Sequence, residues 1–301
     1  MNMKYGITTH YFKPFINDDV KLYKGIKEAG YDYVDYSMYD KMFVQNPVFS
    51  KTRKEWQEYF KNVRNIIEGE GLQVSQVHCI FPPDFSSKVM HVRDYANEYE
   101  IDYYKKELES ASILGAPYAV VHHLKDGPLE GDDKRRETFE KNAVFYGEIL
   151  PTAKQFGVKI AIEDLFYVEK TPPYECKRSH IATADDMVEF INYIGDSSMV
   201  ACLDVGHINM FGIPAEDAVR KLSQHLKVLH LHDNYGVKDL HLPPLYGTVD
   251  WLALKKALDE VGFSGVYSME LDGIARGKGV NDKIIFKEAK QALEIIKELW
   301  D

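Results

Sequence analysis

Residues 228–251 read VLHLHDNYGVKDLHLPPLYGTVDW, from Val228 to Trp251, and hold the densest set of metal-competent side chains in the chain. The first five alternate as in a β-strand, so His230 and His232 project to the same side just before Asp233 and Asn234. Asp239 and His241 then set a second acid and imidazole two residues apart, ahead of Pro243-Pro244. Imidazole mixed with carboxylate suits Zn, Mn, Co or Fe, whereas a purely carboxylate set would suit Mg or Ca. A lone strand-end histidine is as readily a packed polar group. The fold therefore turns on whether other strands end in the same way.

Working outward, strands are expected over Lys4–Thr9, Tyr31–Ser37, Leu72–His78, Pro117–His122, Val158–Glu163, Met199–Asp204, Lys227–His232 and Gly265–Glu270. Helices alternate with them over Asp18–Ala29, Thr52–Glu70, Val92–Leu114, Lys134–Phe156, Thr183–Ile194, Pro214–Leu226, Asp250–Val261 and Lys283–Trp300. Asp18 and Thr183 stand where a helix needs a cap, Pro214 occupies a first turn, and Gly30, Gly71, Gly115 and Gly157 follow helix ends. Eight βα units in 301 residues, with no GxGxxG after the first strand, predict an α/β fold: a single (β/α)8 TIM barrel spanning residues 1–301.

Composition narrows the class. With 45% hydrophobic and 28% charged residues and no long apolar run, the expectation is a chain with a large core and no membrane association. The start, MNMKYGITTH, lacks the apolar core of a signal peptide, and Cys79, Cys176 and Cys202 form no close pair, so a cytoplasmic location is expected. A net charge of −10 counts against a nucleic-acid partner.

A barrel of this kind carries its chemistry at the C-terminal ends of its strands. Those ends supply His78, His122, Glu163, Asp204 with His207, His230 and Glu270, with Asp239 and His241 in the loop after strand seven. Charged groups at neighbouring strand ends would face one another across the mouth, a conflict that a cation resolves. Lysines and arginines are nearly absent from those ends, which argues against simple ion pairing. His123 competes with His122 for the inward position, His232, Cys79 and Cys202 read as packing or supporting groups, and Asp164 and Asp233 as loop or capping groups.

The set IAIED with Glu163, CLDVGH with Asp204 and His207, VLHLHDN with His230, DLH with Asp239 and His241, and YSMEL with Glu270 resembles the xylose isomerase-like barrel superfamily along the whole chain. That superfamily contains sugar isomerases and epimerases, inosose dehydratases and endonuclease IV-type AP endonucleases. In its epimerase branch the resemblance implies one divalent ion, Mn, Co, Mg or Zn, held by Glu163, Asp204, His230 and Glu270. Glu163 and Glu270 would also move protons through a metal-stabilised enediolate, and His207 would hydrogen-bond a substrate oxygen.

Tyr11, Phe81 and other aromatics at the mouth are expected to cover the sugar. Arg276, in the glycine-rich 272–279 loop, stands where a barrel can bind a substrate phosphate, although an unphosphorylated sugar or cyclitol is the expected partner. In the endonuclease branch His78, His122, Asp239 and His241 join a three-zinc set. Here, however, His122 is followed by His-Leu-Lys rather than Pro-Gly-Ser, and no basic track is evident. The arginine of the ketose 3-epimerase pattern is replaced by Tyr235-Gly236-Val237-Lys238. The expectation is a metal-dependent sugar or cyclitol isomerase or epimerase with one ion. The alternatives are a multinuclear-zinc phosphodiesterase and a metal-binding barrel subunit without catalysis of its own. Homo-oligomerisation stays open.

Overall fold

The computed structural model of the chain describes residues 3–38, 47–80, 98–125, 127–168, 175–271 and 279–300. Eight parallel strands close into a barrel: β1 (Tyr5–Thr8), β2 (Tyr33–Ser37), β3 (Gln73–His78), β4 (Tyr118–Val120), β5 (Lys159–Glu163), β8 (Met199–Asp204), β9 (Leu226–Leu231) and β10 (Tyr267–Met269). The remaining pair, β6 (Phe166–Val168) and β7 (Cys176–Arg178), is an antiparallel hairpin between β5 and the next helix, absent from the sequence reading. Flanking helices are α1 (Asp19–Glu28), α2 (Arg53–Gly69), α3 (Glu98–Leu114), α4 (Asp132–Phe156), α5 (Ala184–Ile194), α6 (Val205–Asn209), α7 (Ala215–Leu222), α8 (Trp251–Glu260) and α9 (Asp282–Trp300). This is the (β/α)8 architecture expected. Among the described residues no helix is long and apolar enough to cross a membrane.

Local chemistry sets the boundaries. Asp18 caps α1 by accepting from the Lys21 amide, Asp250 caps α8 through the Ala253 amide, and Thr183 with Asp186 forms a reciprocal capping box on α5. The helix expected over Pro214–Leu226 stops at Leu222, followed by a 3-10 turn over Ser223–His225, and the chain enters β9 at Leu226. The short helix α6 was also not anticipated. It exists because Asp204, the last residue of β8, accepts from the amides of Gly206 and His207 and so caps a new helix at once.

Register puts the functional side chains at one level. Glu163 pairs with Cys202, Asp204 with His230, and Ser268 with His230, while the Glu270 amide donates to the Leu231 carbonyl. Four consecutive barrel strands, β5, β8, β9 and β10, therefore end together and present their terminal side chains to a shared space.

Candidate metal centre

The inner part of the mouth is built from Glu163, Asp204, His230 and Glu270, each contributing one donor atom, all within 4.8 Å of one another. His230 is the hub. Its Nδ1 lies 2.7 Å from Glu163 Oε1, 2.8 Å from Glu270 Oε2 and 4.0 Å from Asp204 Oδ2. Glu163 also accepts from His122 Nε2 at 2.6 Å and has His78 Nε2 3.6 Å away, so His78, Glu163 and His230 form an overlapping donor set.

A second cluster lies above it: His207, His232, Asp239 and His241. His241 donates from Nε2 to Asp239 Oδ2 at 2.9 Å and from Nδ1 to the Glu270 carbonyl at 2.9 Å. Its ring stacks on His232 at a centroid distance of 4.0 Å. His232 in turn donates from Nε2 to Asp204 Oδ2 at 3.0 Å. The ring of His232 lies against the backbone of Gly206, where an added Cβ would come within 1.9 Å of it. His207 donates from Nδ1 to the Asp164 carbonyl at 2.6 Å and points Nε2 towards Asp239 at 3.5 Å.

Protonation follows from this crowding of acids and imidazoles. Burial opposes charge on Glu163, yet His230 and His122 hold its carboxyl well below the usual range. Burial likewise works against a charged His241, but Asp239 raises it to about 10. Burial would also lower His230 and His207, and neighbouring groups, Cys202 and Glu270 for the first and Asp204 and Asp239 for the second, carry both well above the ordinary imidazole value. In the absence of a cation His207, His230 and His241 hold the protons that keep the carboxylates together, whereas burial lowers His122 to about 4.

The donor set fits a divalent ion. Three carboxylates and one imidazole converge, and Glu270 Oε2, although 2.8 Å from His230 Nδ1, is buried without an aligned hydrogen-bond partner among the described residues. Such orphaned acceptors are costly unless a cation or proton meets them.

A cavity of about 270 Å³ opens onto this centre, lined on its polar side by His78, His122, Glu163, His207, Asp239, His241 and Glu270 and on its apolar side by Leu165, Phe166 and Val168. Lys125 completes the lining. Its Nζ donates to the Phe166 carbonyl at 3.2 Å, and burial lowers it to about 7.

Of the other residues singled out in the sequence, Tyr11 is buried and donates to Glu288 at 2.7 Å, and is not part of the cavity lining. Phe81, Arg276 and the 272–278 loop lie outside the described residues. His123 turns away from the centre and donates to the Ile181 carbonyl at 3.0 Å, leaving the inward place to His122. Asp233 accepts from the Asn234 and Val249 amides and from the Trp251 indole, as a capping group does. Lys125 and Asp35 were missed, and His232, expected to pack or support, also offers a donor atom to the second cluster. His232 had a signal, its two-residue offset from His230, whereas an acid inside Tyr33–Ser37 or a lysine three residues past His122 carries little by itself.

The architecture and the acid–imidazole mouth define a metal-competent TIM barrel. The family model described as "Xylose isomerase-like TIM barrel" matches residues 24–299, and the chain belongs to that family. An uncharacterised protein of Methanocaldococcus jannaschii is 28% identical, covering 74% of this chain and 71% of its own. Inosose isomerase of Bacillus velezensis is 24% identical over 81% and 80%. Among solved structures, D-psicose 3-epimerase with D-tagatose from Clostridium cellulolyticum H10 superposes with a TM-score of 0.74 at 17% identity, over 99% of this chain and 100% of that one. The IOLI protein with a bound zinc atom gives 0.72 at 19% identity over 99% of each chain.

Proposed function

We propose that this chain is a divalent-metal-dependent isomerase or epimerase of an unphosphorylated sugar or cyclitol. The observation that carries this reading is the convergence of Glu163 and Glu270, from the ends of strands β5 and β10, on one ring nitrogen of His230 at 2.7 and 2.8 Å, with Asp204 completing the set. When bound there by Glu163, Asp204, His230 and Glu270, a divalent cation supplies Lewis acidity towards a chelated carbonyl and hydroxyl pair. The kinship with an inosose isomerase and the likeness in fold to a sugar epimerase support the substrate class.

The chain's own groups then have distinct tasks. Glu163 takes a proton from the carbon beside the carbonyl, and Glu270, facing it across the mouth, delivers one. His122 holds the Glu163 carboxylate in place by its 2.6 Å hydrogen bond, and His207 faces the cavity to meet a substrate oxygen. Leu165, Phe166 and Val168 exclude water from one wall and offer an apolar surface to the C–H face of a ring.

The test is proton exchange in deuterium oxide, followed by NMR with a panel of ketoses and inososes on metal-loaded protein. Glu163→Gln and Glu270→Gln should each lower exchange at the carbon next to the carbonyl by about 10²- to 10⁴-fold, the range for loss of a positioned general base. Full exchange in both variants would rule out the paired-carboxylate mechanism.

A further inference from the structure

Beneath the inner donors lies an acid that the mechanism above does not use. Asp35, on β2, is completely buried, and a register shift between Val34 and Asp35 brings it opposite Gln76 of β3. Gln76 Nε2 donates to Asp35 Oδ2 at 3.1 Å. That same oxygen is 3.3 Å from Nε2 of His230, two strands beyond β1 around the barrel, so the contact spans the interior; it is an ion-pair approach, and Nε2 has no aligned hydrogen bond among the described residues. Among the described residues His230 is the only basic side chain within ion-pair distance of Asp35.

A buried carboxylate without a lysine or arginine is expensive unless its partner needs it. His230 has such a need. A neutral imidazole carries one N–H, and only the nitrogen without it can donate an electron pair to a cation. Nδ1 is the nitrogen that faces Glu163 and Glu270, so with a cation on Nδ1 the one N–H of the neutral ring would sit on Nε2, towards Asp35.

We infer that Asp35 is the positioning residue of the metal centre: its Oδ2, fixed by Gln76, accepts the Nε2–H of His230 and so holds the ring in the tautomer and orientation that present Nδ1 to a cation. This rests on the metal-centre reading given above. Carboxylates behind metal-bound histidines raise ligand basicity, and their loss weakens metal affinity by about 10- to 100-fold.

The experiment titrates chelator-treated full-length protein with cobalt(II), recording affinity by calorimetry and ligand geometry by visible absorption. Asp35→Asn keeps an acceptor oxygen but removes the charge, and should weaken cobalt(II) about tenfold. Asp35→Ala removes both, and should weaken it towards a hundredfold and alter the cobalt(II) spectrum. If Asp35 only packs, both variants lower the melting temperature of the metal-free protein and leave cobalt(II) affinity and spectrum unchanged, which overturns the inference. Should the alanine variant not fold, the asparagine variant alone decides it on the same two readouts. His230→Gln is the reference: unchanged affinity there overturns the metal-centre reading itself, whereas lost affinity there with no effect at Asp35 overturns only the positioning role.

Discussion

The two donor clusters of the mouth differ in what holds them. Glu163, Asp204 and His230 are strand residues with side chains 0–2% exposed, and Glu270 follows β10 directly. Of the outer set, only His232 adjoins a strand. His207 sits on the five-residue helix α6, and Asp239 and His241, 18% and 17% exposed, hang on the loop after β9. His241 even adopts a left-handed backbone, φ +47°, which costs energy outside glycine. Sheet hydrogen bonding fixes the backbone of the inner donors before any ligand arrives, whereas the outer ones are placed by side-chain hydrogen bonds, His241 to Asp239 and to the Glu270 carbonyl, His232 to Asp204 and His207 to the Asp164 carbonyl. Preorganisation of this kind is what a resident ion requires, and interdependence suits groups that meet a substrate.

The contrast can be broken most directly by counting ions. Elemental analysis of protein purified without added metal should give one divalent ion per chain. Asp204→Asn should lower manganese or cobalt affinity by on the order of a hundredfold or more, because it strips a charge from a buried ionic set. Asp239→Asn should leave the count at one. Two or three zinc ions, with one lost in Asp239→Asn, would instead make the outer cluster a metal site and move the reading to a multinuclear-zinc phosphodiesterase.

A second measurement sharpens the outer cluster's dependence on its own charges. In metal-free protein His241 is raised from 6.5 to about 10 by Asp239. Between those values the folded chain holds a proton that the unfolded chain has released. The resulting stabilisation is therefore complete below about pH 6.5 and is lost as pH rises through about 10. Melting temperature measured over that window should fall in the metal-free parent, and the fall should be shallower in Asp239→Asn.

The smallest expected effect lies outside both clusters. Burial lowers His123 from 6.5 to about 3, so in that range the unfolded chain takes up a proton that the folded one refuses. Its stabilisation is present above pH 6.5 and is lost as pH falls towards 3. His123→Gln should flatten that part of the acid melting profile. An unaltered profile would assign acid loss to the clusters alone.

The convergence of the inner donors was legible in the sequence because each stands at, or one residue from, the end of a strand whose apolar run announces its direction. Glu163 after IAI and Asp204 after MVACL are such cases. Asp35 was not, since its meaning depends on His230, 195 positions further along and across the barrel interior, and no local period encodes that distance. The β6–β7 hairpin escaped for a different reason: two three-residue strands are too short to display alternation. His232 was expected to pack or to support a neighbour, and its hydrogen bond to Asp204 Oδ2 gives it the supporting place.

The seat that Gly206 gives the His232 ring orders the ways in which this chain can diverge. A side chain at 206 must evict the ring, and eviction withdraws a hydrogen bond from Asp204, the residue that also caps α6. A lineage can give up His232 first and then vary position 206. The reverse path runs through an intermediate with a displaced imidazole and a disturbed ligand. Position 206 is thus open to a side chain only where position 232 no longer carries the imidazole.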